Sequence, residues 1–477
     1  MRRPDEEFPQ APDLPSFTVE GEPSPEDETL AHPSFSPSSD RSTGRPADQH
    51  ASTGLVRHAV EIPWESIDED AARVVRKLER GGFEAYLVGG CVRDLLLAGK
   101  PKDFDIATSA RPEDVRALFR NCRIIGRRFR LAHVIFGTKI IEVATFRRNP
   151  QLGAQASTQA GDDEPDPGDE NLLIRNDNAF GNAHEDAHRR DFTINALFYD
   201  LQSREVLDWE GGMRDVQRRI ICTIGDPIVR FREDPIRILR AIKFAGRLDL
   251  GIAPEVYDAM VLCREELAKA ARPRLFEEVL RLLRSGAAHR SFWLAWETGT
   301  LAVFLPELAA FLDDDESTQG AGERFWRRLD AVDAMTREQG APLDDVTLCT
   351  ALLHETMEEA IAGDRDRVRA VGEFLEPLFE RIAIPRKIAD FMRRLMAVLP
   401  RLTSGKTVRI ARPELLSTVA NVLEIDLRAR GLSLEPAEQL RSQIPSELPQ
   451  RTGNAPRRTG TRRAGSRGGT RYGRGGG

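Results

Sequence analysis

The stretch YLVGGCVRDLLLAGKPKDFDIATS, residues 86–109, decides the fold. EAYLVGG reads as a short strand that stops at Gly89-Gly90, CVRDLLLAG as one or two helical turns, and DFDIAT as a second strand. Alternate residues of a strand share a face, so Asp103 and Asp105 are expected to project together, with Phe104 and Ile106 turned to the core. Two carboxylates on one face repel unless a divalent cation lies between them. Oxygen donors suit Mg²⁺, and two such ions about 3.5–4 Å apart can hold the attacking and leaving oxygens of a displacement at phosphorus. Two solvated aspartates on an exposed strand would give the same pattern. The Gly-Gly step adds a second signal, because backbone N–H groups without side chains can approach an anion, and Arg93 lies one turn further on. Neither the GxxxxGK[ST] spacing of a P-loop nor GxGxxG is present.

Outward from this stretch, SIDEDAARVVRKLERGG spaces Ile67, Ala71, Val74, Val75 and Leu78 as one helix face and stops at Gly81-Gly82. RPEDVRALFR reads as another helix, and HVIFG with KIIEVATFR as a strand pair joined at Gly137-Thr138. An α+β unit with a small mixed sheet is therefore expected over 61–220. Beyond residue 230 the strand signals nearly vanish, which predicts an all-α neck (221–300) and body (301–448). Residues 149–178 have loop composition, and residues 1–60, rich in Pro, Ser and acids, are expected to be disordered. The end of the chain, 449–477, carries eight arginines and no acid among glycines, which suits contact with phosphates or exposed bases. The net charge of −7 is thus unevenly spread.

At 477 residues, 40% apolar and 30% charged, the chain can bury a real core. No run of about 18 uncharged apolar residues occurs, so no membrane association and a cytoplasmic location are expected. The five cysteines are scattered, never CxxC, and read as buried hydrophobes.

Two further acids are candidates for a third carboxylate beside the pair. Glu142 sits in IIEVATF, and Asp191 in RRDFTINAL follows Arg189 and Arg190 and is expected to start an apolar helix as its N-cap. In REDPIRILRAIKFA, Asp234 is an expected N-cap with Pro235 at the first helical position, and Arg237 and Arg240 share a face. A capped helix with surface arginines and a pair that hydrogen-bonds a nucleobase or phosphates both fit this pattern.

In order and spacing the four motifs resemble the class II family of bacterial poly(A) polymerases and CCA-adding tRNA nucleotidyltransferases, over about residues 65–290. The resemblance implies a polymerase-β-like nucleotidyltransferase head followed by the helical neck and body. It gives the two catalytic metals, Mg²⁺ with Mn²⁺ as a substitute, to Asp103 and Asp105, and the triphosphate to Gly89, Gly90 and Arg93. Arg190 and Asp191 would line the active site, and Asp234, Arg237 and Arg240 would read the incoming base. NCRIIGRRFRLAHVIFG, residues 121–137, resembles the poly(A) branch, with Arg127, Arg128 and Arg130 as a basic edge and His133 as a packed strand residue. Cys91 departs from the small residue common there, and LLHE at 352–355 lacks the His-Asp pair of a metal phosphohydrolase, so no second activity is expected. The function implied is transfer of AMP from ATP to RNA 3′ ends, with RNA-decay proteins as candidate partners. CCA addition to tRNA and a non-catalytic RNA-binding role remain as alternatives.

Overall fold

The computed structural model describes residues 54–126, 130–148, 179–314, 320–406 and 415–444. The expected leader up to residue 53, the 149–178 loop, Arg127, Arg128 and the Arg/Gly-rich tail lie outside the described residues.

The first part is a mixed sheet built from β1 (Val56–Ala59), β2 (Ala85–Val88), β3 (Asp105–Thr108), β4 (Cys122–Ile125), β5 (Leu131–Phe136), β6 (Lys139–Thr145), β7 (Phe198–Asp200) and β8 (Glu205–Asp208). Its order is β1-β8-β7-β2-β3-β6-β5-β4, and every pairing is antiparallel except β3 with β6. α1 (Glu69–Arg80) covers one face. Asp68 caps it by accepting from the N–H groups of Asp70 and Ala71, both at 3.0 Å, and Gly81 ends it. Its apolar stripe (Ala71, Val74, Val75, Leu78) is buried in the same core as Leu87 and Ile106. A smaller cluster that includes Val88, Ala107, Phe146 and Phe198 forms a second buried patch.

α2 (Gly90–Leu96), α3 (Pro112–Leu118), α4 (Ala183–His188) and α5 (Gly212–Gln217) complete this part. A two-residue parallel ladder joins β9 (Ile220–Ile221) to β10 (Gly251–Ile252), where the expected all-helical second half still touches a strand. The helices that follow begin with α6 (Pro227–Glu233), α7 (Ile236–Leu248), α8 (Pro254–Cys263), α9 (Arg272–Leu283) and α10 (Ala288–Glu297). They continue with α11 (Leu301–Phe304), α12 (Pro306–Asp313), α13 (Ala321–Gln339), α14 (Asp345–Ala360), α15 (Arg367–Ile382), α16 (Arg386–Thr403), α17 (Leu416–Arg430) and α18 (Glu435–Arg441). Among the described residues no helix is long and apolar enough to cross a membrane. Among these later helices, fully buried Arg328 donates to Glu355 (2.7 Å) and Asp426 (2.9 Å), joining α13, α14 and α17. Burial, then the nearby Arg328 charge, drives the His354 pKa well below its ordinary value, despite Asp426 at 3.4 Å.

Four expectations need correction. Val56–Ala59, inside the span read as disordered, pairs along β8 as an edge strand. Strand β3 begins at Asp105, so Asp103 lies in the loop before it rather than on the strand. FTINAL is not an apolar helix: a 3₁₀ turn at Thr193–Asn195 leads at once into β7, because Phe198 is taken into the sheet between β2 and β8. Asp234 does not cap α7. Pro235 holds the N-cap position, and Asp234 ends α6 with its carboxylate turned to α9.

Candidate active site

The sheet register assembles the site. Antiparallel pairing sets Val88 opposite Asp105, and parallel pairing sets Asp105 beside Glu142, which in turn faces His133. In-register neighbours project to the same face, so the row His133, Glu142, Asp105 ends directly at Gly89-Gly90, the residues after Val88. Two cavities meet at this row, and Asp105 lines both.

The first, of about 850 Å³, contains Asp103, Asp105, Glu142 and His133 with Lys100, Lys102 and Lys139 at its rim. His133 was expected as a plain packing residue. Its Nε2 instead lies 3.4 Å from Glu142 Oε1, while its buried Nδ1 has no hydrogen-bond partner. Asp105 is itself exposed at the start of β3, but the protein packed around it strips part of its hydration, and this, then the neighbouring Glu142 charge, raises its pKa to about 6, with Arg190 opposing and Asp103 adding to the rise. A site that holds a carboxylate this uncomfortably favours a cation. Among the described residues no group of three His, Cys, Asp or Glu is preassembled for a metal. An oxygen-only set of one or two carboxylates, completed by water and substrate phosphates, fits a hard divalent ion.

The second cavity, of about 410 Å³, brings together Gly89, Gly90, Arg93, Arg190, Asp191, Asp234, Arg237 and Arg240 from three separate motifs. Gly89 has φ +70°, and a Cβ there would sit 2.8 Å from Arg190 Nη1. Gly89→Ala is therefore expected to lose about 1–2 kcal/mol in a urea titration and to push Arg190 from its place. Arg190 is held by Asp186 (2.9 Å) and by the Asn195 carbonyl (3.1 Å), with its guanidinium over the Phe198 ring. Arg93 is buried. It donates to Asp94 and, at 2.5 Å, to Asn195 Oδ1, and lies over the Phe244 ring.

Asp191 is committed to partners on this side. Its carboxylate accepts from Arg240 Nε (2.7 Å), Asn195 Nδ2 (2.9 Å) and the Phe192 N–H (2.9 Å). Burial alone would raise its pKa. Arg240 and these hydrogen bonds outweigh burial and take it down to about 2. Glu233 accepts from both Arg230 and Arg237 at 2.9 Å, and Arg230 also donates to the carbonyls of Arg189 and Arg190. The RRD segment is thereby tied to the helix that carries Arg237. Arg247 reaches Asp94 at 2.7 Å, a second link between α7 and α2.

Of the residues given metal, triphosphate, active-site or base-reading roles, all except Asp103 line the second cavity, and Asp103 and Glu142 meet Asp105 in the first; Arg130, read as part of a basic edge, lines neither cavity and pairs with Glu113 at 2.6 Å. Sequence reasoning missed Asn195, Phe244, Glu233 and Arg274. Asn195 follows Asp191 by four residues, a spacing that could have suggested it; Arg274, 40 residues from Asp234, gave no local signal.

Residues 85–222 match the poly A polymerase head domain, and residues 249–312 match a region described as the probable RNA and SrmB-binding site of polymerase A. The chain is 44% identical over 270 residues to poly(A) polymerase I of Salmonella typhimurium, covering 57% of this chain and 55% of that protein. It is 36% identical over 263 residues to a CCA-adding enzyme of Geobacillus, covering 55% of this chain and 60% of that one. The chain thus spans little more than half the length of these curated relatives. The crystal structure of the Bacillus stearothermophilus CCA-adding enzyme in complex with CTP superposes with a TM-score of 0.55 at 27% identity, over 78% of this chain and 81% of the other. With the acid row and bare-backbone step on one sheet and α6, α7 and α9 completing the second cavity, the chain carries the poly A polymerase head domain over residues 85–222 and is similar in sequence to poly(A) polymerase I and to CCA-adding enzymes.

Proposed function

We propose that the chain transfers AMP from ATP to the 3′ end of RNA and releases pyrophosphate, without a template. The observation that carries this reading is that Asp105 lines both cavities, so a phosphoryl group held beside Gly89-Gly90 would have the acid row directly at its flank. Arg93 and Arg190 would hold the triphosphate against the bare backbone and compensate its charge as pyrophosphate leaves. Asp234 and Arg237 would read adenine, the carboxylate accepting from the exocyclic amine and the guanidinium donating to the ring nitrogen. Arg240, fixed by Asp191, would line the same cavity.

Asp103 and Asp105 would hold Mg²⁺, with Mn²⁺ as a substitute. Bound there, the ions would lower the pKa of the RNA 3′-hydroxyl and neutralise the triphosphate. We assign the third carboxylate of the floor to Glu142, supported by its register beside Asp105. Asp191, its oxygens taken by Arg240, Asn195 and Phe192, acts through those partners. No covalent enzyme intermediate is required, since catalysis rests on positioning and charge. Five free cysteines suit a reducing cytoplasm, and RNA-decay proteins would dock on the helical neck.

CCA addition is the second reading, favoured by the likeness to a CCA-adding enzyme in complex with CTP. Incubation with an RNA primer, Mg²⁺ and ATP or CTP separates the two. Lengthening A tails from ATP alone are expected; addition of two C residues from CTP, followed by a single A and a stop once ATP is also supplied, is the result that would overturn the proposal. Retention of RNA with no nucleotide incorporated would return the chain to a binding role.

A further inference from the structure

Arg274 is outside every motif that pointed to the site, yet it lines the second cavity. It stands in the first turn of α9 and forks both oxygens of Asp234, Nη1 to Oδ1 at 3.0 Å and Nη2 to Oδ2 at 2.6 Å. Asp234 is gripped at its backbone as well: its carbonyl accepts the Arg237 N–H at 3.0 Å, and its own N–H donates to the Arg230 carbonyl at 3.3 Å. α9 is itself fastened to α7 further along by Lys243 and Glu278, 3.3 Å apart. The carboxylate of the base-reading pair therefore has an anchor on a different helix from its partner, Arg237, whose terminal nitrogen is fixed by Glu233.

The chemistry of the bases gives that anchor a consequence. Adenine and cytosine both present an exocyclic amine beside an unprotonated ring nitrogen, so a carboxylate next to a guanidinium can hydrogen-bond either. The two differ in size, since the purine carries its edge one ring further from the sugar. Selection must then come from how firmly the pair is held at one distance from the phosphate wall. A pair free to follow the smaller base accepts both; a pair held out for the purine leaves its polar groups unmatched by cytosine.

We propose that Arg274 is a positioning residue for base selection, holding Asp234 where adenine rather than cytosine satisfies it. This rests on the base-reading role given above to Asp234 and Arg237. A planar fork is what the role needs, and a lysine ammonium cannot supply it.

The test uses the full chain with an RNA primer, Mg²⁺, and ATP or CTP as the sole nucleotide, measuring kcat/KM for each. In Arg274→Ala the ATP-to-CTP ratio is expected to fall by about tenfold or more, mainly through KM. Arg274→Lys, which keeps charge and bulk, is expected to fall nearly as far and guards against misfolding of the first variant. More than half of the Arg274 side chain is exposed, so the melting temperature should barely move. Equal losses with both nucleotides, leaving the ratio unchanged, would overturn the inference, because that is what a merely structural role gives. If Asp234→Ala keeps wild-type use of ATP, or the wild-type chain uses CTP as well as ATP, the base-reading assignment itself fails and takes the inference with it.

Discussion

Asp105→Asn is expected to lower nucleotide incorporation at pH 7.5 by about three orders of magnitude, because the residue shared by both cavities loses the charge that a divalent ion needs. Its effect on stability has the opposite sign. Partial loss of hydration and the Glu142 charge lift the Asp105 pKa from 3.8 to about 6, so the folded chain holds this proton more tightly than the unfolded chain. Folding is consequently weakened as pH rises from about 4 to about 6, and the weakness persists above that. The asparagine variant escapes it. In EDTA at pH 7.5 it should be more stable than the parent by about 1 kcal/mol, the full shift being discounted for partial solvent access, and at pH 4 the two should coincide. With Mg²⁺ added, only the parent should gain. For the same reason activity should decline as pH falls through about 6, and excess Mg²⁺ should move that decline to lower pH. Urea unfolding with and without Mg²⁺ and a pH–rate profile check all of this.

Asp191→Asn addresses the other half of the site. Its carboxylate is the common acceptor for Arg240, Asn195 and the Phe192 N–H, and through Asn195 it also steadies Arg93. The amide keeps the shape but cannot pair with Arg240. A carboxyl whose folded pKa is pulled to about 2 stabilises the fold at all pH values above about 4, and that contribution is lost as pH falls from about 4 to about 2. The variant should therefore be less stable by about 2 kcal/mol at pH 7, with the gap closing toward pH 2. Incorporation should fall about a hundredfold while the Mg²⁺ concentration for half-maximal activity stays where it was. A large rise in that concentration would make Asp191 a metal ligand and displace Glu142 from the role.

Much of this was legible in the chain because it is local. The Gly89-Gly90 step, the helix ended by Gly81 and the hairpin at Gly137-Thr138 each follow from residues within a few positions of one another. What local reading misjudged was decided by pairing at a distance. Phe198 is drawn into a strand between β2 and β8, so FTINAL could not stay helical, and Val56–Ala59 gains order only along β8. Asp103 and Asp105 were expected to share a strand; the neighbour of Asp105 on the sheet is instead Glu142, 37 positions on, because β3 and β6 run parallel. Asp234 looked like a helix cap since Pro235 follows it, yet the guanidinium of Arg274, forty residues later, competes for the same oxygens. Spacing could identify the chemical groups of the site, whereas their partners came from the fold.

The most direct measurement is a crystal structure with a non-hydrolysable ATP analogue and Mg²⁺. The triphosphate should run along Gly89-Gly90 beneath Arg93 and Arg190, with magnesium density against Asp105 and Asp103 and the adenine between Asp234 and Arg237. An analogue bound elsewhere, or bound there with no metal density at Asp105, would contradict the central claim that one aspartate joins the nucleotide site to the acid row.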